Sequence, residues 1–230
     1  MTAAESLESG DRAAFLGRLR ERLQGPEPHN LAHPMPGPLA SVPLVRSSML
    51  DEHDVLGSFV RNATAVAARV HDLDAAAVPD ALVADVVARH GIRHAVLSAE
   101  PEAISVGEQL AAIGVTTAPL SPDAAATADL GVTSCVGAIA TTGTVVVSTT
   151  AAGGRSASLL PPVHLCVVPA SRVAPTSAEI LRPLSSGACA SMPSNLVLIT
   201  GPSRSGDIEQ IIALGVHGPL AVELVLLRGA

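Results

Sequence analysis

The chain has no tryptophan, no tyrosine and no lysine, and only two phenylalanines and three cysteines in 230 residues. Each shortage excludes a class of chemistry. Without lysine there is no Schiff base, no P-loop lysine and no Ser–Lys dyad. Without aromatic platforms, bases of a nucleic acid have nothing to stack on. A net charge of −7 also denies phosphates a basic face. No nucleic-acid partner is therefore expected. The cysteines, Cys135, Cys166 and Cys189, are far apart and form no CxxC pair. They read as reduced, mostly buried thiols of a cytoplasmic protein. Three thiols also fall short of the four ligands of an iron–sulfur cluster. No HExxH, Cys/His pair or acidic triad points to a metal. The start, MTAAESLESGDR, lacks the cationic and apolar regions of a secretory signal. No apolar run approaches the ~18 residues of a membrane span.

What remains is aliphatic. Hydrophobic residues make up 48% of the chain, so Val, Leu, Ile and Ala must fill the core. Such side chains suit flat layers of strand against helix. Residues 1–45 read as a helix over 11–23, with Phe15, Leu16, Leu19 and Leu23 at helical spacing, then a Pro-rich arm. Residues 46–230 read as an α/β domain. A long amphipathic helix is predicted over 49–71, then helices and strands alternate from about residue 78. The helix PDALVADVVARHG leads to the strand HAVLS, the helix AISVGEQLAAIG and a short strand near Val115. An Ala-rich helix follows near 122–129. The apolar runs Val132–Ala140 and Thr144–Ser148 flank a tight turn. Strands VHLCVV, NLVLIT and VELVLL follow, with helices near 175–184 and over 207–215. Alternation of this kind implies an α/β fold: a mixed, mostly parallel sheet with helices on both faces.

Candidate site residues cluster after the strands. Gly201-Pro202-Ser203-Arg204-Ser205-Gly206-Asp207 joins a strand to a predicted helix. Free helix amides and the Arg204 fork would hold a carboxylate or phosphate there. The alternative is an ordinary turn in which Ser205 or Asp207 caps the helix. Ser203 lacks the second Gly of a nucleophile elbow, which excludes a serine hydrolase of that type. Gly153 and Gly154, followed by Arg155, allow a close backbone approach to an anion, or form a plain surface loop. Thr141, Thr142, Gly143 and Thr144 make a hydroxyl-rich turn. Arg155 and Arg204 are expected to converge on it. His217, between Val216 and Gly218, can act as an acid, a base or a ligand donor, or bond to turn backbone. His164 opens an apolar strand and reads as a core histidine. The i,i+4 spacing of His90 and His94 is broken by Gly91.

Three segments, GVTSCVGAIATTGTVVVST, GGRSASLLPPVHLCVVP and LITGPSRSGDIEQIIALGVHGP, resemble the LUD-domain family over about residues 45–228. The resemblance implies a fold similar to the NagB, ribose-5-phosphate isomerase and CoA-transferase group. It implies a cytoplasmic, cluster-free subunit of a bacterial system that oxidises L-lactate to pyruvate. The chain would bind no cofactor alone, and the clusters would sit on partner iron–sulfur lactate utilisation proteins A and B. A small carboxylate or phosphate-type ligand is expected. The alternatives are a stand-alone CoA-transferase-like or sugar-phosphate isomerase-like enzyme, or a non-catalytic scaffold. The family usually has Ala-Glu-Thr-Gly-Thr where this chain has Ala140-Thr141-Thr142-Gly143-Thr144. Thr141 cannot act as a carboxylate nucleophile or base, so the resemblance does not extend to catalysis by the chain alone.

Overall fold

The computed structural model describes residues 49–230 except 186–192, 194, 206–212 and 215–216, together with Ala14, Gly17, Arg18 and Glu21. Asp207 and Cys189 lie outside the described residues. The chain falls into two units, Met1–Pro43 and Leu44–Ala230. In the first unit the four described residues are helical.

The second unit alternates strands and helices, and each element has a local cause. Asp54 caps α1 (Val55–Ala65) by accepting from the Gly57 amide at 2.8 Å. After β1 (Arg69–Leu73) comes α2 (Asp80–His90), then β2 (His94–Leu97). Pro101, pre-set for a first helical position, opens α3 (Pro101–Ala112). β3 (Thr116–Pro119) and α4 (Pro122–Thr127) follow, the latter capped by Ser121. Next are β4 (Leu130–Ser134), β5 (Gly137–Ile139), β6 (Thr144–Ser148) and the single turn α5 (Thr149–Ala152). β7 (Val163–Pro169), β8 (Val173–Ala174), α6 (Ser177–Ser185), β9 (Leu196–Ile199), β10 (Arg204–Ser205), β11 (Ala213–Leu214) and β12 (Ala221–Leu227) complete the chain.

Six strands form one wholly parallel sheet in the order β1-β12-β7-β4-β2-β3. The predicted hairpin exists, but in a second sheet of order β8-β5-β6-β9, where β6 is antiparallel to both neighbours. The architecture is therefore α/β, with a parallel main sheet and the antiparallel pairs in the smaller sheets. One sheet face packs on α2 and α3 through Val83, Val86, Val106 and Leu110 against Leu130, Val132, Leu165 and Val225. On the other face, Phe59, Ala63, Ala138 and Val145 meet Cys166, Leu224 and Leu226. Each large side chain so buried contributes about 1.5–3 kcal/mol. Among the described residues no helix is long and apolar enough to cross a membrane.

Two segments differ from the sequence reading. The helix predicted over 49–71 ends at Ala65, and Arg69–Leu73 is a strand in register with Glu223–Leu227. Pairing with β12 overrides its amphipathic spacing. In the helix predicted over 207–215, Ala213–Leu214 instead pairs antiparallel with Arg204–Ser205. A partner strand supplies the ladder bonds that a helix would otherwise make internally.

Asn62 joins α1 to the β5–β6 turn. It is buried, and its Nδ2 donates to the Ala140 carbonyl at 2.7 Å and the Met49 carbonyl at 3.0 Å. Asn62→Ala is expected to cost about 1–3 kcal/mol, because the buried Ala140 carbonyl loses its side-chain donor. Urea denaturation of the two proteins reads the difference. A change below ~0.5 kcal/mol would show that solvent replaces the donor.

Candidate functional site

The hydroxyl-rich turn is built against the end of α1. Thr142 Oγ1 lies 2.7 Å from Thr144 Oγ1, which lies 2.8 Å from Thr200 Oγ1. The Thr141 amide donates to the Pro175 carbonyl at 3.1 Å. Gly143 sits on the backbone of Ala63, and Gly201 on the carbonyl of Val66. Arg204 Nη2 donates to that same Val66 carbonyl at 3.2 Å. The Ser203 amide donates to the Pro219 carbonyl at 2.9 Å, and Gly218 lies against Ser203. His217 is exposed beside them. The structure thus gathers Thr141, Thr142, Gly143, Thr144, Gly201, Ser203, Arg204 and the 217–219 turn on one side of the molecule.

Gly153, Gly154 and Arg155 lie elsewhere. β6 carries the chain roughly 13 Å from Thr144 to Ser148 at a strand's rise per residue. The Ala152 carbonyl then accepts from the Ala99 amide at 3.3 Å, and Gly153 and Gly154 approach Ala99 and Leu120. This places them beyond the carboxyl ends of β2 and β3. Arg155 is exposed, and its carbonyl holds Ser158. Arg155 and Arg204 do not converge, because an extended strand separates their loops.

Beside the Arg204 loop is a cavity of about 490 Å3. Thr64, Ala67, Arg69, Pro202, His90 and Glu223 line it, at the amino ends of β1 and β12. Ala67 holds a left-handed backbone at φ 69°, a conformation that costs a residue with a Cβ about 1–2 kcal/mol. Glu223, 1% exposed, is the charge centre. Its oxygens lie 2.6 Å from His71 Nε2, 2.7 Å from His90 Nε2, 3.3 Å from Arg89 Nη1 and 3.5 Å from Arg69 Nε. Burial pushes the Glu223 carboxyl up. The hydrogen bonds of His71 and His90 and the charges of His71 and Arg89 outweigh it, holding the group at about 2. Arg69 stays largely open to solvent, so its fork can meet an incoming anion. Glu223 also orients His90 through its Nε2.

Arg69, His71, Arg89, His90 and Glu223 are functional candidates the sequence reading missed. The available signal was one carboxylate inside the aliphatic run Ala221–Leu227. A charge in a strand buried on both faces demands partners. Other ionisable groups are quieter. His164 is fully buried, with Nε2 2.8 Å from Thr133 Oγ1, and burial lowers it to about 4, so it stays neutral in the core. Cys135 and Cys166 are free and buried, and the Cys135 hydrogen bond together with burial pushes the Cys166 thiol well up. The Cys166 thiol is therefore not poised as a thiolate nucleophile.

The model of the LUD domain matches residues 56–227. The chain is 39% identical over 95 residues to lactate utilization protein C of Halalkalibacterium halodurans, covering 40% of this chain and 41% of that protein. It is 38% identical over 103 residues to the Bacillus subtilis protein of the same name, covering 43% and 42%. To lactate utilization protein C of an Exiguobacterium species it is 30% identical over 185 residues, covering 77% and 79%. The first two matches span about two-fifths of those relatives' length. A crystal structure of a DUF162 family protein from Deinococcus radiodurans shares the fold, with a TM-score of 0.57 at 22% identity. That match covers 78% of this chain and 99% of the other. This chain belongs to the LUD-domain family.

Proposed function

We propose that the chain serves lactate utilisation as the cluster-free subunit of an iron–sulfur L-lactate oxidation system. It works in the cytoplasm beside lactate utilisation proteins A and B and binds a small carboxylate or phosphate-type anion. The observation that carries the reading is the relationship, up to 39% identical, to proteins named for lactate utilisation. The cysteine count supports the cluster-free role, since three thiols cannot supply four ligands. The cavity beside Arg204 supports anion binding, because Arg69 and His90 line it and the Arg204 loop borders it.

Two experiments test this. A strain deleted for this gene is expected to stop growing on L-lactate and to recover with the intact chain. Unimpaired growth of the deletion strain overturns the role. Calorimetry with L-lactate, pyruvate and phosphate is expected to show at least one saturable anion. Arg204→Ala should weaken it roughly tenfold to a hundredfold, the value of a charge-assisted bond. The melting temperature should hardly move, since Arg204 is exposed and its side chain, among the described residues, bonds to the Val66 carbonyl. Unchanged binding removes Arg204 from the site. A large loss of melting temperature assigns it instead to tying the loop to α1.

A further inference from the structure

The cavity beside Arg204 is walled by a cluster whose charge depends on pH. Glu223 of β12 collects partners from two other elements: Arg69 and His71 from β1, and Arg89 and His90 from the end of α2. Arg89 is also paired with Asp85, one turn earlier in its helix. With both histidines neutral, two guanidinium groups face two carboxylates and the cluster is balanced. Arg69, Glu223 and His90 all line the cavity. Arg69 holds Glu223 most loosely, at 3.5 Å, and its side chain is 58% exposed.

Of the side-chain types in this cluster, histidine is the one that changes charge between pH 5 and 8. Glu223, held at about 2, stays ionised throughout that range. Each proton taken up by His71 or His90 therefore adds a positive charge that no carboxylate of the cluster is left to meet. Both rings are mostly buried, so solvent screens that charge only in part. His90 also ends α2, where the negative end of the helix dipole favours an imidazolium. The surplus charge thus arises at the cavity wall, on the same side as the open Arg69 fork. Two other cationic side chains border the region, Arg204 on its loop and the exposed His217.

We propose that this cavity takes its anion together with a proton, held on the His71–Glu223–His90 bridge. The anion supplies the negative charge that the protonated bridge lacks, and the bridge supplies the positive charge that attracts the anion. Each therefore favours the other to the same degree, as linkage requires. The cavity fills most readily when carboxylate and acidity rise together, as they do where an organic acid accumulates. This inference rests on the anion reading of the cavity and adds what regulates it.

Calorimetry on the full chain tests this with L-lactate, pyruvate and sulfate, which keep their charge above about pH 5.5. If the protonated cavity is preferred tenfold, at least one of them should bind about fourfold tighter at pH 6 than at pH 7.5. Heats compared in two buffers of different ionisation enthalpy at pH 7 should then show uptake of about half a proton. The double variant His71→Gln/His90→Gln keeps an amide donor on each side of Glu223 but cannot titrate. It should lose the uptake and the pH dependence, whereas His217→Gln should keep the uptake. Should the double variant fail to fold, the histidine ring signals of the natural chain carry the test by NMR. A saturating anion should raise the titration midpoint of His71 or His90 by about one pH unit. Binding with equal affinity at both pH values and no proton uptake overturns the coupling and leaves the anion reading standing. Uptake that survives in the double variant, or that vanishes in His217→Gln, also overturns it. No saturation by any of the three anions at either pH overturns the anion reading and this inference with it.

Discussion

Glu223→Ala is expected to cost about 3–5 kcal/mol of stability, the penalty for removing one side of a buried charge cluster. His71, Arg89 and His90 would face a space with no anion, and Arg69 would lose its tie to β12. At roughly 2–4 °C per kcal/mol for a domain of this size, the melting temperature should fall by about 10 °C. Glu223→Gln keeps the shape and should cost less. It also isolates the charge, which pH can then report. The carboxyl is held at about 2 in the folded chain, below its usual 4.5. A depressed value contributes stability that is fully present above 4.5 and is lost as pH falls through about 2. The contribution is roughly 3 kcal/mol at neutral pH. Urea midpoints of the natural chain and Glu223→Gln should therefore diverge above pH 5 and draw together toward pH 2. A gap that stays constant across that range would mean that shape, not charge, makes Glu223 matter.

That cluster also marks the limit of what the sequence discloses. The long aliphatic runs at Val163–Pro169 and Ala221–Leu227 announce buried parallel strands, and they form the middle of the sheet. The turn at Thr141–Gly143 is legible because Gly interrupts two β-branched runs. By contrast, Arg69–Leu73 reads Arg-Val-His-Asp-Leu, and its polar residues suit a helix face as well as an edge strand. Only β12, some 150 residues later in the chain, decides the matter. The same distance hides His71 and His90 from Glu223. Motif reading finds residues that are close in sequence, such as Gly201, Ser203 and Arg204. It cannot see that β6 carries Gly153, Gly154 and Arg155 away from them.

Gly143→Ala is expected to be nearly as damaging as Glu223→Ala, and the reason concerns the family turn itself. Gly143 has φ +65°, where a Cβ costs about 1–2 kcal/mol. The added methyl would also lie 2.1 Å from the Ala63 amide nitrogen and 2.4 Å from its Cα. Those are helix backbone atoms, which cannot rotate aside as a side chain can. Either α1 lifts from the sheet or the turn retreats. Lifting α1 loosens Phe59 and Ala63, both fully buried against the β12 face of the sheet, and retreat breaks the Asn62 bond to Ala140. Overpacking adds about 1–3 kcal/mol, so the sum is roughly 2–5 kcal/mol, or about 10 °C in a thermal melt. A loss under ~2 °C would show that the turn moves freely and that its glycine serves something other than packing. The neighbouring Thr141 gives the contrast. It is half-buried and bonds through its amide to the Pro175 carbonyl, so its side chain is not what positions the turn. Thr141→Glu, which introduces a carboxylate at the turn, should leave the melt within ~2 °C, because a substitution away from core packing seldom exceeds ±0.5 kcal/mol. The glycine of this motif is thus required by the approach of α1, whereas the position two residues before it is free to vary with chemistry.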